Sequence, residues 1–371
     1  MSRFSLWPLV ALASVPCAVG CGSESAPSFV AGATAAGSGG STSNTSTSGT
    51  GGQGGMATTS TSASSSGSGG SGGSGNGGSG GSGGTGPVVR LISVGDTGEG
   101  NVEQNLVGDQ MSAKCLLVGG CDAVTLNGDN YYQNGVASVD DPQWGPKFEQ
   151  PYDRPGLNGL PFYVVLGNHD YGITSTGDKQ AQIDYTLLPV GIGPGMRASA
   201  KWTMPAAWYD VQIGPVHLFA IDTQDFSQAQ ATEMAQKVAQ STATWKMVFA
   251  HHPRFTSGDH YFDNQALGFA GMYDLQEAIY CGADIFMTGH DHNREFIDKG
   301  RDANCPNTYF IISGAGAKVR ERSGLIPDDS SQLFYDEEIE GFAYLEFNGN
   351  TLLFEFIDKL GAVSYTKTIT K

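Results

Sequence analysis

Arg90-Leu91-Ile92-Ser93-Val94-Gly95-Asp96-Thr97-Gly98 is an apolar run that stops abruptly at a glycine-flanked carboxylate. The figure recurs. Residues 123–126 lead into Asn127-Gly128-Asp129-Asn130-Tyr131-Tyr132, and residues 161–166 into Gly167-Asn168-His169-Asp170. Residues 246–250 end at His251-His252-Pro253, and residues 284–287 run through Thr288 into Gly289-His290-Asp291-His292. Short, nearly continuous apolar runs of this kind suit strands buried on both faces. Two more, at residues 216–221 and 308–312, carry no such ending. Apolar residues at three-to-four spacing predict helices over residues 101–114, 228–244 and 266–280. Residues 342–347 and 351–357 flank Asn348-Gly349-Asn350, which predicts a closing antiparallel hairpin. The pattern is a mixed α/β domain without internal repeats. Ligands of such sheets collect beyond the carboxyl ends of the strands, where all five motifs fall.

The donor types at those ends point to metals. Six of the seven histidines lie in the stretches His169, His251/His252/His260 and His290/His292, so clustering rather than chance placement needs explaining. Asp129 offers two oxygens able to bridge two cations, and Tyr132, three positions later, offers a phenolate to a hard trivalent ion. Asn168 presents a neutral carbonyl oxygen. In Gly289-His290-Asp291-His292, alternate residues point the same way if the backbone is extended, and both rings can then serve adjacent metals. Each motif alone has a plain turn or hydrogen-bonding explanation. Five in register do not. His217 lies inside an apolar run without Gly or an acidic neighbour and is assigned to the core. Asp222 is assigned a structural role, and Trp202 and Trp208 are assigned to packing.

The flanking sequence sets the context. Residues 1–21 read as a lipoprotein-type signal segment: Arg3, an apolar stretch interrupted by Pro8 and Pro16, then Ala18-Val19-Gly20-Cys21, similar to a lipidation box. Residues 22–86 are rich in Gly, Ser and Thr with almost no charge, a composition expected of a disordered tether. Residues 87–371 alone can bury a core and are expected to form one catalytic domain. The net charge of −17 argues against nucleic-acid binding by a basic face. In an exported protein, the four cysteines after the leader suit two disulfides; Cys115 with Cys121 and Cys281 with Cys305 is the favoured pairing among three.

The ordered motifs, with Ser313-Gly314-Ala315-Gly316 and Gly341-Phe342-Ala343-Tyr344, resemble the purple acid phosphatases of the calcineurin-like metallophosphoesterase superfamily, closest to the small, tartrate-resistant type. The resemblance covers nearly all of residues 88–371. It implies a four-layer α/β/β/α sandwich of two mixed sheets flanked by helices, and a binuclear centre. Fe(III) would be held by Asp96, Tyr132, His292 and the bridging Asp129. A divalent ion, Fe(II), Zn(II) or Mn(II), would be held by Asp129, Asn168, His251 and His290. The implied reaction is in-line attack of a metal-bound hydroxide on a small phosphomonoester at acidic pH. His169 and His260 would be the catalytic pair, one stabilising the equatorial oxygens and the other protonating the leaving alkoxide. His252 stands where the small type commonly has Tyr.

Two further readings use the same residues: a phosphodiesterase or nucleotidase on the same metals, and an inactive surface protein of this fold. The full ligand set argues against the second. Purely structural zinc is disfavoured because the donors are oxygen-rich and lie on loops. The expected state is an exported monomer that meets the membrane only through a lipid on Cys21.

Overall fold

Every apolar run that ends in a motif becomes a central strand. In a computed structural model, residues 87–172, 177–261, 270–322 and 329–371 are described. The chain divides into two units, Met1–Asn76 and Gly77–Lys371. The expected signal segment and tether lie outside the described residues, and the second unit contains both sheets.

The first sheet pairs β1 (Val89–Val94) in parallel with β2 (Ala123–Asn127), then β3 (Phe162–Val165) and the short β4 (Trp202–Thr203). On its other side β1 pairs antiparallel with β12 (Gly341–Asn348), followed by β13 (Thr351–Asp358) and β14 (Val363–Thr370). In the second sheet, β6 (Val216–Ala220), β7 (Trp245–Phe249), β8 (Ile285–Thr288) and β10 (Tyr309–Ser313) run parallel. β5 (Tyr209–Ile213) closes one edge, and β9 (Arg294–Ile297) and β11 (Gln332–Asp336) close the other, all antiparallel.

One buried cluster joins residues of both sheets, among them Leu91, Val124, Val164, Met247, Ile285 and Phe354. Helix α1 (Val102–Leu117) packs against β12 and β13. Its start is fixed by Asn101, whose side chain accepts from Gln104 N at 2.9 Å. α2 (Lys179–Tyr185) is short. A second cluster, including Phe219, Met234, Val238, Ile279 and Phe286, seats α3 (Gln228–Gln240) and α4 (Ala270–Tyr280) on the second sheet. The order is therefore helix, sheet, sheet, helix, the sandwich implied by the resemblance. α3 stops four residues before its expected end, because Ser241 is extended. The expected first turn of α4, residues 266–269, lies outside the described residues. Both expected disulfides, Cys115–Cys121 and Cys281–Cys305, are present.

The site depends on how the sheets meet. Ser313 Oγ at the end of β10 donates to Ser93 O of β1 at 2.9 Å, and Gly95 N donates to Ser313 O at 2.7 Å. The carboxyl ends of β1, β2, β3, β7 and β8 therefore converge on one place.

Candidate metal centre

Three of the converging residues hold backbone conformations that side chains rarely adopt: Asp96 (φ 58°), Asp129 (φ 52°) and His290 (φ 72°). Among the described residues they are the only non-glycines with positive φ. Such strain persists where the surroundings over-determine it, and it gathers at functional sites. Gly289 shows the crowding: a Cβ there would lie 2.5 Å from Asp96 Oδ2.

The expected ligands form two groups. Tyr132 Oη donates to Asp96 Oδ1 at 2.9 Å and lies 3.4 Å from His292 Nε2, which is 3.8 Å from Asp96 Oδ1. Asn168 Oδ1 lies 2.9 Å from His251 Nε2 and 3.2 Å from His290 Nδ1, and those two nitrogens are 3.1 Å apart. Asp129 connects the groups. Its Oδ1 is 3.4 Å from His251 Nε2, and oxygens of Asp96 and Asp129 share a cluster of less than 4.8 Å with His251.

The donor chemistry fits metal ions. His251 Nδ1 faces Asn127 O at 2.9 Å, which sets the proton on Nδ1 and turns the Nε2 lone pair toward Asn168 and His290. A carbonyl oxygen and two ring nitrogens gathered this closely offer three donor atoms to one divalent ion. Burial lowers the basicity of His251, His290 and His292 and so favours the neutral, ligating form. Burial, then the Asp129 charge, push Asp96 well above the carboxylate range. Burial, then Asp129 and Asp96, likewise push the Tyr132 phenol upward. Only added positive charge lets two carboxylates and a phenolate share this space.

His169 and His260 border the groups. His169 N donates to Asp129 Oδ1 at 2.9 Å, its Nδ1 faces Gln133 O at 2.7 Å, and its Nε2 lies 3.9 Å from Asp129 Oδ2. The His260 ring stacks on His290 with centroids 4.1 Å apart. His252, left without a role by sequence, packs against His290 at 4.5 Å, and its Nδ1 lies 2.8 Å from Thr223 Oγ1. Asp222 stays outside and accepts from Tyr171 Oη and from the amides of Gln224 and Asp225, as a turn-forming residue does.

One assignment needs correction. His217 is not an apolar-core residue but is half-buried between Ser241 Oγ (2.9 Å from Nδ1) and Asp210 Oδ2 (2.9 Å from Nε2). Strand alternation turns it outward toward the end of α3. Trp202 is fully buried, as expected for packing. Trp208 is half-buried and donates from Nε1 to Glu233 at 3.2 Å.

Sequence reading missed the residues that brace the ligands. Buried Asp170 accepts from Asn130 N (3.0 Å), Asn130 Nδ2 (2.9 Å), Gly167 N (2.8 Å) and Gln182 Nε2 (3.0 Å), which ties the Asp129 loop to the Asn168 loop. Burial, then Asp129, push its carboxyl up to about 7. Asp291 accepts from His260 N at 2.8 Å and from Thr256 Oγ1, and Glu295 accepts from Ser257 N at 3.0 Å. These two hold the loop that carries His260. Asp170 and Asp291 sit inside the motifs, so their position was the available signal.

A strained, buried cluster of oxygen and imidazole donors at the strand ends of an α/β/β/α sandwich defines a metal-dependent hydrolase. The calcineurin-like phosphoesterase profile matches residues 90–294, more than half of the chain and all five motifs. The chain belongs to the calcineurin-like phosphoesterase family, and it is a metal-dependent phosphoester hydrolase. It is 28% identical over 309 residues to purple acid phosphatase 17 of Arabidopsis thaliana, covering 76% of this chain and 85% of that one. It is 23% identical over 313 residues to human tartrate-resistant acid phosphatase type 5, covering 74% and 89%. Among solved structures, GAP50, the anchor in the inner membrane complex of Plasmodium, shares the fold. The TM-score is 0.61 at 24% identity, over 76% of this chain and 89% of that one. The resemblance read from the motifs is borne out.

Proposed function

We propose that the chain is an exported acid phosphatase that hydrolyses small phosphomonoesters at a centre of Fe(III) and a divalent ion. The observation that carries this reading is the split of the donors into two groups joined by Asp129, with the phenol in one group only. Asp96, Tyr132 and His292 would hold the trivalent ion, and Asn168, His251 and His290 the divalent one. Hard, anionic donors suit the higher charge, and imidazole with a neutral carbonyl suits Fe(II), Zn(II) or Mn(II). Two bound ions supply charge stabilisation at phosphorus and a lowered pKa for coordinated water.

The chain's own residues do the rest. Asp170 keeps Asn130 and Gly167 in place, and through them the loops of Asp129 and Asn168. His169 is held by Gln133 O with Nε2 turned toward Asp129, where it would donate to a phosphate oxygen. His260, stacked on His290 and latched by Asp291, would give its proton to the leaving alkoxide.

The two disulfides support an oxidising compartment. A lipid on Cys21 would be the chain's only hold on a membrane, with the domain acting as a monomer; no helix among the described residues is long and apolar enough to cross one. Acyl chains on Cys21 by mass spectrometry test the anchor, and an unmodified N-terminus rejects it. Turnover of p-nitrophenyl phosphate against bis-p-nitrophenyl phosphate, with metal content and pH profile, tests the activity. Faster turnover of the diester replaces this reading with a phosphodiesterase, and no turnover with two metals bound rejects catalysis.

A further inference from the structure

The segment after β10 carries Lys318, Arg320 and Arg322 in a domain whose charge is otherwise strongly acidic. Backbone hydrogen bonds fix it beside the metal centre: Gly316 N donates to Gly95 O and Arg320 N to His292 O, each at 3.1 Å. The three cations then part company. Lys318 Nζ lies 3.8 Å from the Tyr132 ring centroid and 2.5 Å from Glu99 Oε1. Arg322 turns to Glu337 and the Tyr335 ring. Arg320 alone faces the His260 side, with Nη1 3.3 Å from His260 Nε2 and 3.3 Å from Asp259 Oδ2.

Both contacts use Nη1. A guanidinium carries five N–H donors in a rigid fork, so among the described residues Nε and Nη2 remain for a ligand. The side chain is 42% exposed, and only the His260 ring separates it from His290. The acidic domain exerts no long-range attraction on anions, so a second anionic group on a substrate needs a local cation.

We propose that Arg320 binds the leaving group, and that the preferred substrates have leaving groups with an oxyanion of their own, phosphate or carboxylate. This rests on the phosphatase reading, in which His260 faces the departing oxygen. Hydrolysis breaks the bond from phosphorus to that oxygen, forms one from phosphorus to a water oxygen, and leaves a proton on the departing oxygen. Arg320 takes no part in these exchanges and holds the group that departs. Charge-assisted hydrogen bonds from the fork to an oxyanion are the strong kind.

The test compares kcat/KM for pyrophosphate, phosphoglycolate and phenyl phosphate, using the full chain with both metals loaded, as wild type, Arg320→Gln and Arg320→Lys. With Arg320→Gln, the ratio of an anionic-leaving-group substrate to phenyl phosphate should fall about tenfold or more, and Arg320→Lys should restore part of it. A fall confined to pyrophosphate identifies phosphate as the recognised group, and one confined to phosphoglycolate identifies carboxylate. Unchanged ratios for both overturn the inference while leaving the phosphatase reading intact. Wild-type protein inert toward all three overturns both.

Discussion

Gly289→Ala is the sharpest probe of how the centre is held. The added Cβ would sit 2.5 Å from Asp96 Oδ2 and 2.9 Å from Asn127 O, against ordinary contact at 3.4 Å and beyond. Asp96 has no free space to retreat into, since it is fully buried and accepts from His290 N at 2.8 Å and Tyr132 Oη at 2.9 Å. Relief therefore requires a shift of about 1 Å in Asp96, in His290 or in both, and a displacement of that size costs on the order of 100-fold in rate. Overpacking adds roughly 1–3 kcal/mol of destabilisation. For a domain of this size that is a drop of roughly 2–5 °C in Tm. The assay is p-nitrophenyl phosphate turnover at saturating metal, with metal content by mass spectrometry and Tm by calorimetry. Wild-type turnover with two metals retained would refute the claim that close packing at Gly289 fixes the ligand geometry. A collapse of Tm far beyond this range would refute the claim that the damage is local.

Iron-loaded protein should absorb in the visible through a phenolate charge-transfer band, and Tyr132→Phe should remove that band; an unchanged spectrum rejects Tyr132 as a ligand. Glu295 is fully buried, and burial pushes its carboxyl up to about 7 from the usual range near 4.5. A raised folded pKa makes its stability contribution complete below about 4.5 and lost as pH rises through about 7. Wild type should therefore lose up to a few kcal/mol relative to Glu295→Gln between pH 5 and 8 in urea titrations. Parallel profiles for the two proteins would reject this. Replacing Cys281 and Cys305 with Ala opens a link across a sequence separation of 24 and should lower unfolding free energy by about 3 kcal/mol. A change below about 1 kcal/mol in chemical denaturation would contradict the loop-entropy argument.

The central strands were legible because burial on both faces leaves an uninterrupted apolar run, as in β2 and β8. β9 was not, because Arg294-Glu295-Phe296-Ile297 reads as half charged. All four residues are buried, and their polar groups are met by tertiary partners: Arg294 by Asp336 at 3.0 Å and Glu295 by Ser257 N at 3.0 Å. β14 escaped notice for the opposite reason. It is a mostly exposed edge strand in which the alternation of Val363, Tyr365 and Ile369 is broken at Lys367 and diluted by Ser and Thr. The candidate ligands were readable because each follows a strand end, whereas Arg320 lies in a segment with no ligand motif.

The sequence by itself determined the strand-end motifs, the donor types and the cysteines, since these follow from local pattern and from the chemistry each side chain carries. Only tertiary structure decided their grouping. Asn168, His251 and His290 are separated by up to 122 positions, yet their donor atoms stand about 3 Å apart because β3, β7 and β8 end at one place. The tautomer of His251 depends on Asn127 O of the other sheet, and the strain at Asp96, Asp129 and His290 on the surrounding packing. The physical reason is one of range. Periodicity records what a residue's own strand buries, whereas a metal centre is defined by distances between strands that the chain alone does not record.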